Sequence, residues 1–278
     1  MQIRLAQNYG FCFGVKRAIR LAEANPGALT VGPLIHNPKE IERLRQDFGV
    51  AVNESIDTIP EGSRTIIRTH GIERDNRARL EEVSADVIDA TCPFVTKPQE
   101  IVRQMSTQGY QVVIFGDADH PEVKGVRSYA GDRALVVSSV SELDAHTLGD
   151  QVALVSQTTK KASDFAQVAG ALTARCREVR VFNTICNATF DNQEATRQLA
   201  SEVAIMLIIG GKNSSNTRQL HAIAQESCPK SYLIEDGHDL KPEWFEGAKT
   251  CGIGAGASTP DWIIEGVMAK IRAFSNRP

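Results

Sequence analysis

The chain has 278 residues, with 31 Lys and Arg against 34 Asp and Glu, a net charge of −3 and a sequence pI near 6.1. That balance excludes a broad nucleic-acid footprint, which needs a surplus of cations. Apolar residues make up 42% and charged residues 23%, the proportions of a globular protein that buries a large core.

The longest apolar run, Val203 to Ile209, is too short to span a bilayer, and the opening stretch MQIRLAQNYGFCFGVKRAIRLAE is charged throughout, unlike a signal peptide. The expectation is a cytoplasmic protein without membrane or nucleic-acid partners. In that compartment the six cysteines are expected as thiols: core residues, metal ligands or catalytic groups.

In chain order, short Val- and Ile-rich runs (Thr65–Ile67, Val112–Phe115, Val152–Val155, Val203–Ile209) each lead into a Gly, Ser, Asn or Thr cluster. Stretches with apolar residues three and four apart follow, such as Lys39–Phe48 and Thr217–Gln225. Strand, tight loop and helix in repetition predict an α/β protein with mainly parallel sheets.

The repetition is itself periodic. Three strand-to-helix loops carry a cysteine: NYGFCFGV around Cys12, IDATCPFV around Cys92 and FNTICNAT around Cys186. A second loop type follows each, at TVGPLIHNP (His36), VIFGDADHPE (His120, Glu122) and LIIGGKNSSN (Ser214). A third type comes later, at IIRTHG (His70), ALVSQTT (Thr158) and GIGAGAST (Ser258). Cys12 to Cys92 is 80 positions, His70 to Thr158 is 88 and Thr158 to Ser258 is 100. Three α/β units related by pseudo-threefold repetition are predicted, each a small mainly parallel sheet flanked by helices: 13–91, 92–185 and 186–278, with 1–12 packing on the third.

Ligands bind beyond the carboxyl ends of strands in open parallel sheets. If the three units face one axis, these loops share a central site. A lone cysteine is more often a small buried hydrophobe, and Cys176, Cys228 and Cys251, which occupy no equivalent loop, take that reading. Cys12, Cys92 and Cys186 each stand just before a helix, where N–H groups favour negative sulfur. Three thiolates on one axis suit zinc or an iron–sulfur cluster. Taken singly, HPE, KNSSN and HNPKE read as helix starts; at matching loops beside three cysteines they read as functional. Lys16, Arg17, Arg20 and Arg4 read as a solvated face, with a docking patch for an acidic electron carrier as the second reading.

The motifs GFCFGV (10–15), HNP (36–38), THG (69–71), DATCPFVTK (89–97), HPEVKG (120–125), QTT (157–159), TICNAT (184–189), KNSSNT (212–217) and AGASTPD (255–261), in this order, resemble the 4-hydroxy-3-methylbut-2-enyl diphosphate reductase family, also called IspH or LytB. The resemblance covers essentially the whole chain. It implies a trefoil of three α/β domains and reductive dehydroxylation of an allylic alcohol diphosphate to isopentenyl and dimethylallyl diphosphate, the last step of the methylerythritol phosphate route to isoprenoids.

It also implies a [4Fe–4S] cluster on Cys12, Cys92 and Cys186 with one open iron, and reduced ferredoxin or flavodoxin as electron donor. His36, His70, His120, Ser214, Ser215, Asn216 and Ser258 would bind the diphosphate. Thr158 would hydrogen-bond the substrate hydroxyl, and Glu122 would supply the proton. Beside an anionic cluster and a diphosphate, its carboxyl is expected to hold that proton tightly. The family pattern is broken by Asn192 where an Arg is usual, by VRSY after HPEVKG, and by Pro98-Gln99 where Val-His is common. A non-enzymatic iron–sulfur sensor and a zinc hydrolase are the competing readings.

Overall fold

The computed structural model describes residues 1–275. Its strands form three sheets, each of four strands and each wholly parallel. The chain divides into two compact units: Met1–Lys16 with His36–Arg43 and Asn187 onward, and Arg17–Ile35 with Leu44–Cys186.

The first unit holds β1 (Gln2–Leu5), β10 (Ile205–Ile209), β11 (Ser231–Ile234) and β12 (Thr250–Ala255), in the order β1-β12-β10-β11. The second holds β2 (Leu29–Val31), β3 (Ala51–Asn53), β4 (Ser63–Ile67) and β5 (Ser84–Asp89) in the order β3-β2-β4-β5. It also holds β6 (Gln111–Phe115), β7 (Leu135–Val137), β8 (Gln151–Ser156) and β9 (Glu178–Val181) in the order β7-β6-β8-β9. One connectivity therefore occurs three times. In the first unit its fourth place is filled by β1, paired with β12 from Gln2–Thr250 to Leu5–Ile253.

Parallel neighbours need crossover connections. Here they are α2 (Pro38–Phe48), α3 (Arg74–Val83), α5 (Pro121–Ser128), α6 (Ala162–Thr173) and α8 (Ser215–Ser227), while α1 (Phe13–Glu23), α4 (Pro93–Thr107) and α7 (Asn187–Ala200) lead from one sheet to the next and α9 (Asp261–Ser275) follows the last strand. Among the described residues no helix is long and apolar enough to cross a membrane.

Helices on both faces allow central strands to be buried on both sides. In β10 all of Ile205–Ile209 is buried. The alternation is still visible in how β6 divides its side chains. Val112 and Ile114 pack with Val102, Met105 and Val126 on the α4–α5 side. Val113 and Phe115 pack with Phe165, Val168 and Leu172 on the α6 side. Cys251 and Cys228 lie in the two cores flanking the first unit's sheet. Burial, helped by Cys228, pushes the Cys251 thiol up to about 12. Burial also raises Cys176, which packs on the β6–β8 core.

Candidate active site

Every third strand of a sheet, β4, β8 and β12, ends in a loop that accepts a hydrogen bond from a cysteine backbone. Cys92 N–H donates to Thr69 O at 3.0 Å, Cys186 N–H to Thr158 O at 3.0 Å and Cys12 N–H to Ala257 O at 3.1 Å. The three cysteines are thus held alike, each beside His70, Thr158 or Ser258 on the loop that supports it. All three are partly exposed, and none of the six cysteines is in a disulfide.

In the second unit, α5 begins at the carboxyl end of β6. His120 caps it: its Nδ1 accepts the Glu122 N–H at 3.2 Å, and Pro121 fills the first helical position, where no N–H is needed. An Nδ1 that accepts leaves the proton of the neutral ring on Nε2, so His120 presents a donor away from its own helix. The His70 ring stands edge-on to it, with centroids 5.4 Å apart.

In the first turn of this helix, Glu122 is 2% exposed. Its Oε1 accepts the Thr158 N–H at 2.7 Å and its Oε2 the Thr158 hydroxyl at 2.7 Å. Burial raises the carboxyl to about 7 against the pull of those two bonds, from an ordinary value of 4.5. The cause is desolvation. A carboxyl with that proton affinity carries a proton part of the time near neutral pH, as a general acid requires.

Gln99, which stands where the family pattern has His, packs under the same loops. Its Nε2 would lie 2.9 Å from a Cβ added at Gly71 and 3.5 Å from one at Gly125. Arg17 does not lie on a solvated face: Nη1 and Nη2 donate to Thr91 O at 3.2 Å and Asp89 O at 3.0 Å, tying down the strand end that leads into Cys92. Lys16 and Arg20 are exposed.

In the first unit, α8 starts beyond β10. Ser214 caps it by accepting the Thr217 N–H at 3.3 Å, and Ser215 and Asn216 occupy the first turn. All three residues are at most 5% exposed. Among the described residues, neither Nδ2 nor Oδ1 of Asn216 has a partner, nor does Thr217 Oγ1. Buried amides without partners are uncommon. Here two amide atoms and a hydroxyl stand at the positive end of a 13-residue helix, the arrangement that receives an anionic oxygen.

The Ser258 hydroxyl donates to His36 O at 3.3 Å. A side chain at Gly211 would come within 2.4 Å of that carbonyl, so glycine is required where the two segments cross. His36 leads into α2, capped by Asn37, whose Oδ1 accepts the Glu40 N–H at 3.2 Å. Lys212 is turned away to Asp239, 3.5 Å from Nζ to Oδ2. The polar groups left at this loop are therefore amides, hydroxyls and the helix end. Asn192 and Gln193 are buried on α7, and Gln193 Nε2 has no partner among the described residues. Neither Gln193 nor the Gln157 that braces Thr158 was singled out by sequence; Gln157 lay inside the QTT motif.

Residues 3–272 match the family model described as LytB protein. The 4-hydroxy-3-methylbut-2-enyl diphosphate reductase of Wolinella succinogenes is 61% identical over 274 residues, covering 99% of each chain. The protein of that name from Nitratiruptor sp. is 59% identical, covering 98% of each. Among solved structures, an (E)-4-hydroxy-3-methyl-but-2-enyl diphosphate reductase, the terminal enzyme of the non-mevalonate pathway, superposes with a TM-score of 0.72 at 43% identity, covering 98% of this chain and 100% of that one. The E-1-hydroxy-2-methyl-but-2-enyl-4-diphosphate reductase of Plasmodium falciparum superposes with a TM-score of 0.91 at 25% identity, covering all of this chain and 89% of that one. A match across nearly the full length, at this identity and with the same three parallel sheets, places the chain in the LytB protein family.

Proposed function

We propose that this chain reduces (E)-4-hydroxy-3-methylbut-2-enyl diphosphate to isopentenyl and dimethylallyl diphosphate, as the last step of the methylerythritol phosphate pathway. The observation that carries the reading is the repeated cysteine hydrogen bond to the neighbouring loop. It gives each of the three thiols the same kind of setting, on a loop next to His70, Thr158 or Ser258. A non-enzymatic iron–sulfur sensor leaves the Glu122–Thr158 couple and the open amide of Asn216 without a task.

Cys12, Cys92 and Cys186 suit a [4Fe–4S] cluster: three partly exposed sulfur donors, each at a strand-to-helix loop and none committed to a disulfide. When bound, such a cluster supplies electrons one at a time and, with three protein ligands, keeps one iron open.

The remaining chemistry belongs to the chain's own side chains. The allylic C–O bond breaks, its oxygen leaves as water, and two electrons and two protons enter. His120 donates from Nε2 to the diphosphate, joined by His36, His70, Ser214, Ser215, Asn216 and Ser258. Thr158 hydrogen-bonds the substrate hydroxyl. Glu122 gives that hydroxyl its proton, so that water and not hydroxide leaves, and its raised proton affinity keeps the proton available near neutrality. Proton delivery at either end of the resulting allyl system gives the two products. Domains 13–91, 92–185 and 186–278, a cytoplasmic location and a ferredoxin or flavodoxin donor belong to the same proposal. Lys16 and Arg20 offer cations to such a donor.

Turnover of the allylic diphosphate by anaerobic, cluster-loaded protein with reduced viologen tests the reading. Glu122→Gln should keep the cluster and lose most turnover, by roughly 10²–10⁴-fold. Full activity in that variant would remove Glu122 from the mechanism.

A further inference from the structure

Strands β6 and β8 are adjacent and parallel, so the loops that leave them, at 116–120 and 157–161, emerge side by side. A Cβ at Gly116 would lie 2.7 Å from Val123 Cγ2 and 3.1 Å from Gln157 Cβ, so the first loop lies flat on the second. Gln157 laces them: its N–H donates to Phe115 O at 2.8 Å, and its Oε1 accepts the Asp117 N–H at 2.9 Å.

Asp117 O accepts the His120 N–H at 2.9 Å, closing the turn that leads into α5 and Glu122. Lys160 N–H donates to Gln157 O at 3.3 Å, closing the turn that contains Thr158. From that second turn the Lys160 side chain, only 9% exposed, crosses the Phe115 ring at 5.5 Å from its centroid. It ends on Asp117 Oδ1 at 2.5 Å. Lysine is seldom buried unless paired, and a pair with one exposed member adds little to stability. What this pair adds is register between two turns.

We propose that Lys160 and Asp117 form a latch that holds the turn before Glu122 against the turn carrying Thr158, so that both carboxyl oxygens of Glu122 meet Thr158. The two are positioning residues for proton delivery, acting through the turns and not on the carboxyl itself. The inference rests on the function proposed above. Asp119, which pairs with Lys124, and His120 share the first loop, Lys161 shares the second, and His70 stands edge-on to His120. On the far side Lys160 also attracts Glu142, whose carboxylate is held low chiefly by hydrogen bonds from Ser138 and further by Lys160 and His146.

The test uses the full chain loaded with its cluster, as Lys160→Met, Asp117→Asn and the double variant, with Lys160→Arg as the conservative control. Two readouts are taken: hydrogen exchange in peptides covering the Thr158 amide, and the pH profile of turnover. Each single variant should speed Thr158 exchange. Each should also lower kcat on the order of tenfold with KM within about twofold, the pattern of a misplaced catalytic group.

Both singles should move the alkaline limb to higher pH, because the Thr158 bonds hold the Glu122 carboxyl down. The double variant should be no worse than either single, and Lys160→Arg should behave as wild type. A pure charge effect would move the limb up when the cation is lost and down when the anion is lost. That opposition, or unchanged Thr158 exchange, overturns the latch. If one single variant fails to fold, the other carries the same readouts. If the wild type itself does not turn over the diphosphate, the functional reading fails, while the exchange measurement still decides the latch.

Discussion

Thr158 grips both oxygens of Glu122, with its backbone N–H on Oε1 and its hydroxyl on Oε2, each at 2.7 Å. The same residue's carbonyl receives the Cys186 N–H. One loop thus holds the carboxyl proposed as proton source and supports a cysteine proposed as cluster ligand, both through a single turn.

The raised Glu122 carboxyl, about 7, sets the pH dependence of turnover. The reaction needs the protonated form, so kcat should fall as pH climbs through about 7 and level off below it. In Glu122→Asp the shorter side chain should lower kcat while a limb remains. Rates measured from pH 5.5 to 9 check this; a flat profile across neutrality contradicts it.

Stability should carry the mark of the same group. The folded chain binds this proton more tightly than the unfolded chain does. Burial therefore costs stability only once the carboxyl must ionise: the cost is absent near pH 4.5, grows between the ordinary value of 4.5 and about 7, and is complete above. Its upper bound is about 3 kcal/mol. Glu122→Gln, which cannot ionise, should melt higher than wild type at pH 8, with the difference shrinking by pH 5. Thermal melts of the two cluster-free chains decide it.

Thr158→Val keeps the backbone bond to Oε1 and loses the hydroxyl bond to Oε2. The carboxyl should then hold its proton more tightly, moving the alkaline limb upward, while kcat falls by roughly tenfold or more through lost contact with the substrate hydroxyl. Thr158→Ser should restore both. A pH–rate profile of the pair is the check.

At Asn216 function and stability should part. The residue is 4% exposed and neither amide atom has a partner among the described residues, and a buried unsatisfied polar group costs about 1–3 kcal/mol. Asn216→Leu should leave stability to denaturant unchanged or improved, yet raise KM for the diphosphate by an order of magnitude. A destabilised variant with unaltered KM would contradict the assignment.

The three parallel sheets were legible because their cause is local: each strand run, glycine- or serine-rich loop and helical period repeats along the chain. What escaped the sequence depends on distance. Arg17 falls on a helix face that reads as solvated, and its acceptors, Asp89 O and Thr91 O, lie more than seventy positions away. Desolvation raises the proton affinity of Glu122, and no motif displays that burial. KNSSN announced a helix start, but the absence of any partner for the Asn216 amide is a fact of packing. Lys160 and Asp117 meet across 43 positions, and neither stands in a recognisable pattern with the other.

The central claim concerns sulfur, and the direct measurement is the iron and acid-labile sulfide content of anaerobically prepared protein and of its single Cys→Ser variants. The account predicts about four iron and four sulfide per chain, lost or sharply reduced in Cys12→Ser, Cys92→Ser and Cys186→Ser and retained in Cys176→Ser. Zinc in place of iron, or full cluster content after loss of any of those three thiols, would contradict it.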